Sequence, residues 1–196
     1  MKRLPAAPAR RRAARGTVLL EVLIAVLLCV FGLLGFAAMQ ARATGAAFEA
    51  LQRSQALVLA EDMAQRMALN RAQAANYPRE ALIGSGPVED CAGLAGAALD
   101  LCQWGNLIRG STEQSGTATV GSMLAGRGCI RRAAGSTDRY VITVAWLGIT
   151  ATGAPAAPCG RGDEAFPDDS LRRAVSTTVC VARLRDVAAS APATRC

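Results

Sequence analysis

Gly16-Thr17-Val18-Leu19-Leu20-Glu21 and the run behind it, VLIAVLLCVFGLLGFAAM over residues 22–39, decide how this chain is built. The eighteen residues from Val22 to Met39 carry no charge and no proline. As a helix, such a run spans a hydrocarbon core about 30 Å thick. Only Gly32 and Gly35 interrupt its bulk. Glu21 stands at its start, where a carboxylate costs free energy and calls for a reason.

Two ordinary readings of the stretch leave something over. In a secretory signal peptide, Lys2, Arg3, Arg10, Arg11, Arg12 and Arg15 form the basic region and Val22 to Phe36 the apolar region. Glu21 then sits inside the wrong segment. The A-x-A candidate at Ala41 and Ala43 encloses Arg42 and comes late, and the helical pattern continues past it. A plain single-pass anchor leaves Glu21 unexplained.

The charge balance sharpens the picture. The chain has 196 residues, 22 basic and 15 acidic, for a net charge of +7. Six of the basic residues precede Gly16 and no acid does, so residues 17–196 carry about one net positive charge. The basic leader orients membrane insertion with that end cytoplasmic. No basic patch marks a nucleic-acid site.

The chain has no histidine. That excludes Ser-His-Asp and Cys-His catalysis and any histidine-ligated metal. Lys2 is the only lysine, and Asp163, Glu164, Asp168 and Asp169 fall in loop-like sequence and read as a solvated loop. Of seven cysteines, Cys29 lies inside the apolar run and acts as a small hydrophobe. Cys91, Cys102, Cys129, Cys159, Cys180 and Cys196 all lie beyond it, an even set that reads as disulfides in an oxidising space. A zinc site is the rival, and no CxxC spacing supports it.

Beyond Gln40 the helical pattern changes character. From Thr17 the next proline is Pro78, and a continuous helix over 17–74 would be about 87 Å long. Phe48, Leu51, Val58, Leu59, Met63 and Met67 follow steps of three, four and seven and predict an apolar stripe, broken near Asp62. Residues 75–127 are rich in glycine. ALDLCQWGNLI (98–108) predicts a short helix anchored by Trp104, and 109–122 a surface loop. Cys91 and Cys102 can bond only if the chain folds back near Gly93 or Gly96, because one helix would hold them about 16 Å apart.

The last third has period two. RYVITVAWLGI (139–149) alternates Tyr140, Ile142, Val144 and Trp146 against Val141, Thr143, Ala145 and Leu147. GCIRR pairs with it through Gly135-Ser136. RRAVSTTVCVARL (172–184) is a further strand, with Val175, Thr177, Val179 and Val181 on one side. Pro155, Pro158 and Pro167 mark the loop between them. The class is α+β: a long helix, an irregular middle and a small antiparallel sheet.

GTVLLE with its apolar run resembles a type IV prepilin cleavage site. GLLGFAAMQ (32–40), the helix after it, YVITVAW and the late cysteines resemble the type IV pilus modification protein (PilV) family of minor pilins. The resemblance implies a type IV pilin-like fold. It divides the chain into a removed leader at 1–16, a transmembrane and assembly half-helix at 17–40, and a periplasmic domain at 41–196. The resemblance further implies that a prepilin peptidase cuts after Gly16 and methylates Thr17, where phenylalanine is the commoner residue in the family. A glycine at the cut lets a protease approach the backbone. Glu21, fifth in the mature chain, then pairs with the amino terminus of an adjacent subunit; the rival role is a carboxylate at the positive end of the helix dipole.

Implied partners are the prepilin peptidase, other minor pilins, the major pilin, a large pilus tip protein and the inner membrane. The implied function is pilus initiation or tip assembly, with effects on adhesion or motility. No nucleic acid, cofactor, metal or catalytic residue is expected. Localisation is single-pass in the inner membrane, with the N-terminus cytoplasmic. A minor pseudopilin of a type II secretion system shares the N-terminal chemistry, although the length and the YVITVAW strand favour the pilus. A membrane-anchored periplasmic enzyme lacks a convergent polar site. Six cysteines allow fifteen pairings, of which Cys91–Cys102, Cys159–Cys180 and Cys129–Cys196 are preferred.

Overall fold

The computed structural model describes residues 17–110, 114–115, 118–119 and 123–181. The chain forms two compact units, Met1–Ala46 and Ala47–Cys196. Helix α1 (Thr17–Leu69) contributes to each.

The described part of the first unit is helix alone. Every described side chain from Val18 to Thr44 is exposed, including Leu19, Leu33, Phe36 and Met39. Neither Gly32 nor Gly35 has another group within 4 Å of where a Cβ would stand. A helix apolar on all sides and buried nowhere lacks the usual polar face of a surface helix.

In the second unit, residues 47–69 of α1 bury one face. It consists of Gln52, Ala56, Ala60, Met63, Ala64 and Met67, spaced by helical turns. The stripe predicted from sequence is half right. Met63 and Met67 are fully buried, and Leu59 packs against the core. Phe48, Leu51 and Val58 point outward, at 39%, 54% and 68% exposure. The reason is volume. The same core holds Tyr77, Trp104, Tyr140 and Trp146, and bulky rings leave room on the helix for alanine rather than leucine.

α1 stops short of the expected residue 74. Asn70 leaves helical geometry (φ −102°, ψ 43°), and a 3-10 turn, Arg71–Asn76, follows. This turn brings Tyr77 into the core with no exposed surface. Asn70 donates from Nδ2 to Tyr77 Oη at 3.1 Å, and the Tyr77 hydroxyl donates to Asp100 Oδ2. Arg66 donates to Asp62 at 2.8 Å and to Gln103 at 2.8 Å. These bonds tie the end of α1 to helix α2 (Gly96–Ile108). Trp104 of α2 donates from its indole to the Leu59 carbonyl at 2.8 Å.

Two short strands, β1 (Gln114–Ser115) and β2 (Ala118–Thr119), pair within the stretch expected to be loop. The main sheet is antiparallel in the order β3 (Arg127–Arg132), β4 (Arg139–Leu147), β5 (Arg172–Cys180). Gly135, at φ +70°, supplies the turn between β3 and β4. Ile130 pairs with Ile142, and Val144 with Val175. The alternation predicted for β4 is observed. Tyr140, Ile142, Val144 and Trp146 join the α1 core, whereas Ala145 lies on the other face with Cys129, Cys159 and Phe166. Beyond β3, Ile83 and Gly128 exchange hydrogen bonds at 2.9 and 2.7 Å. Gly128 must be glycine there, since a Cβ would come within 2.3 Å of the Trp104 ring.

The Cys91–Cys102 disulfide is present, with Cα atoms 5.8 Å apart. The chain folds back as required, with Gly93 and Gly96 at φ +78° and +58°. The other expected pairings are corrected: Cys129 bonds to Cys159, not to Cys196, and Cys159 therefore not to Cys180. The cause is which face each side chain takes. Cys129, opposite Thr143 on β3, and Cys159, in the loop after β4, share the face away from α1. Cys180 is opposite Arg139, at the far end of β5 from the loop, and is itself disulfide-bonded. Cys196 lies outside the described residues.

Candidate functional site

The first unit carries the feature that demands explanation. α1 begins at Thr17, and Glu21 follows one turn later on an exposed, otherwise apolar surface. Among the described residues Glu21 makes no hydrogen bond or ion pair. Gly16 lies outside them. α1 alone among the described helices is long and apolar enough to cross a membrane. In hydrocarbon, an unpaired carboxylate costs about 2.5–3.5 kcal/mol on insertion scales, and a cation beside it offsets the cost.

In the second unit, the polar side chains with close partners serve the fold. Glu49 Oε1 accepts from the Ile149 N–H at 3.1 Å, the Thr150 N–H at 3.2 Å and the Thr150 hydroxyl at 3.1 Å. Burial pushes the Glu49 pKa up, but the Thr150 and Ile149 bonds and the Arg173 charge outweigh it and hold the carboxyl below its usual range. Glu49 thereby fixes α1 to the end of β4.

The acids of the proline-containing loop are similarly occupied. Asp163 takes a forked pair of bonds from Arg127, both at 3.2 Å. Asp168 Oδ1 accepts the Ser170 N–H at 2.9 Å. Asp169 accepts from Arg172 at 2.5 Å. Glu164 is exposed. Among the described residues no three metal-ligating side chains gather. Arg172 is the residue that sequence reading missed. It is fully buried and also donates to the carbonyls of Ala157 at 2.7 Å, Cys159 at 3.0 Å and Pro155 at 3.3 Å. Nothing in an Arg172-Arg173 pair signals that one arginine is interior.

A cleft of about 370 Å³ opens between α1 and β5. Glu49, Arg53, Trp146 and Arg173 line it. Sequence spacing gives no hint that Arg53 and Arg173 line one cleft.

With this geometry in place, the comparison with known families is informative. Residues 38–93 match the family model Tt1218-like, described as Type IV pilin Tt1218. The matched stretch covers the end of the apolar run, the packed half of α1 and the fold-back to Gly93. It excludes Gly16 to Glu21 and the main sheet. No curated protein and no solved structure matches the chain. The pilin likeness agrees with the architecture. A long N-terminal apolar helix, a three-stranded antiparallel sheet and disulfides are consistent with a type IV pilin fold.

Proposed function

We propose that the chain is a minor pilin of a type IV pilus, held in the inner membrane by α1 and acting in pilus initiation or the tip complex. On this reading a prepilin peptidase removes residues 1–16 and methylates Thr17. The domain at 41–196 then faces the periplasm and enters the filament on assembly. Partners are other minor pilins, the major pilin and a large tip protein. The role is structural and no chemistry is catalysed; adhesion or motility depends on it through the filament.

One observation carries the proposal. Glu21 is a carboxylate without a partner among the described residues, on a helix surface otherwise fit for lipid, in a chain whose residues 38–93 match a type IV pilin model. Among the described residues no cation pairs with this acid, and on this reading its partner lies on a neighbouring subunit. The Thr17 ammonium of a neighbouring subunit, exposed by cleavage, fits. Pairing the two lowers the cost of the acid in hydrocarbon and sets the register of one subunit on the next.

The test is Glu21→Ala. The variant inserts and is cleaved as the parent is, but no longer co-purifies with pilus subunits. Unchanged co-purification overturns the pairing. Recovery of the parent with secretion-system pseudopilins instead of pilus subunits moves the assignment to type II secretion.

A further inference from the structure

Cys180 ends β5, and its place on the sheet is fixed by its neighbours. Directly opposite residues of paired strands share a sheet face. Cys180 stands opposite Arg139, which alternates along β4 with the core residues Tyr140 and Ile142. Cys180 therefore lies on the face away from α1, the face that also holds the Cys129–Cys159 bond. It is half-buried and disulfide-bonded.

Its partner follows by elimination. The chain has seven cysteines. Cys91 bonds to Cys102 and Cys129 to Cys159, and Cys29 is a free thiol. Only Cys196, the last residue, is left. We propose that Cys180 is bonded to Cys196, so that residues 181–195 form a covalently closed loop seated on this end of the sheet. The bond requires the segment to turn back, because one helix would carry Cys196 about 24 Å from Cys180. Pro192 suits such a turn, since it breaks a helix.

Charge favours the same arrangement. A disulfide holds its two Cα atoms about 4.4–6.8 Å apart, so the terminal carboxylate of Cys196 comes down beside Cys180. Arg139 lies opposite Cys180, and Arg131 lies opposite Val141 two residues further along β4. Both arginines are exposed. A carboxylate set among guanidiniums gains charge-assisted hydrogen bonds.

Closing the loop removes two protons and two electrons from the two thiols. The thiolate of one cysteine attacks a protein disulfide that serves as oxidant, forming a mixed disulfide. The second thiolate displaces the oxidant, which leaves as a dithiol carrying the two electrons. The same class of oxidant closes Cys91–Cys102 and Cys129–Cys159. The bond is independent of Glu21 and stands whether or not the chain joins a filament.

The test is a peptide map of the full chain in detergent micelles, kept free of reductant. The protein is alkylated in denaturant and cut by a protease that cleaves before aspartate. Cys180 then falls within residues 169–185 and Cys196 within residues 186–196. The two peptides are recovered as one linked species that reduction separates, from a chain that runs as a single copy on a non-reducing gel. Cys196→Ser loses the linked species completely and yields residues 169–185 alkylated at Cys180. Recovery of alkylated Cys180 from the parent, of Cys180 linked to any other cysteine, or of the linked pair only from a two-copy species overturns the proposal.

Discussion

The indole nitrogen of Trp104 donates to the carbonyl oxygen of Leu59 at 2.8 Å, joining residues 45 apart in sequence. This bond sets α2 against the interior face of α1, and Gly128 lies flush under the same ring. Trp104→Phe removes the bond and some volume and lowers stability by about 1–3 kcal/mol. Trp104→Ala lowers it by about 3–5 kcal/mol. Gly128→Ala, on the other side of the ring, is also destabilising. Denaturant unfolding of the three variants, followed by near-ultraviolet circular dichroism, measures each loss.

Arg172 holds the loop between β4 and β5 from inside. Its guanidinium meets Asp169 and the carbonyls of Pro155, Ala157 and Cys159. Arg172→Ala strands those acceptors and costs about 3–5 kcal/mol. Arg172→Lys recovers only part of it, since one ammonium cannot reproduce the planar fork. Proteolysis of the native protein at residues 155–169 accelerates in both variants.

Acid weakens the fold in a defined window. Burial pushes the Asp163 carboxyl up, and the Arg127 bond, the Ala165 N–H and the Arg127 charge bring it below its usual range. Glu49 is lowered in the same sense. A depressed folded-state pKa gives stability that is fully present above the unfolded values, about 3.9 for Asp and 4.3 for Glu, and lost as pH falls through the folded values. Stability is therefore level from about pH 7 to pH 5 as far as these groups are concerned, and falls below about pH 4. Denaturant midpoints across that range show it, and Glu49→Gln with Asp163→Asn flattens the acid limb.

The two described disulfides differ in the loops they close. Cys129–Cys159 spans 30 residues and Cys91–Cys102 spans 11. Chain-entropy arguments assign them about 3.5 and about 3 kcal/mol. Peptide mapping without reductant recovers both linked pairs, and Cys159→Ala costs more stability than Cys91→Ala. Recovery of a Cys159–Cys180 peptide contradicts the fold.

Much of this architecture was legible in the sequence because periodicity is local. The apolar run, the alternation of Tyr140 to Leu147 and the loop marked by Pro155, Pro158 and Pro167 each declare themselves within a dozen residues. The turn requirement at Gly93 and Gly96 followed from simple distance arithmetic. What stayed hidden is relational. Phe48, Leu51 and Val58 looked like a core stripe because they are large, yet rings from α2 and β4 claim the space and leave the buried face to Ala56, Ala60 and Ala64. Cys129 and Cys159 pair because they share a sheet face, a fact no spacing carries. The burial of Arg172 and the approach of Arg173 to Glu49, 124 residues away in sequence, depend on contacts of the folded chain.

The proposed pairing of Glu21 requires that the chain acquire a new amino terminus at Thr17. N-terminal sequencing with intact-mass measurement, on protein taken from its native membrane, reads this directly. The account predicts a chain that starts at Thr17 and is one methyl group heavier than its sequence. A chain that still starts at Met1, or one that starts beyond Gln40, contradicts it.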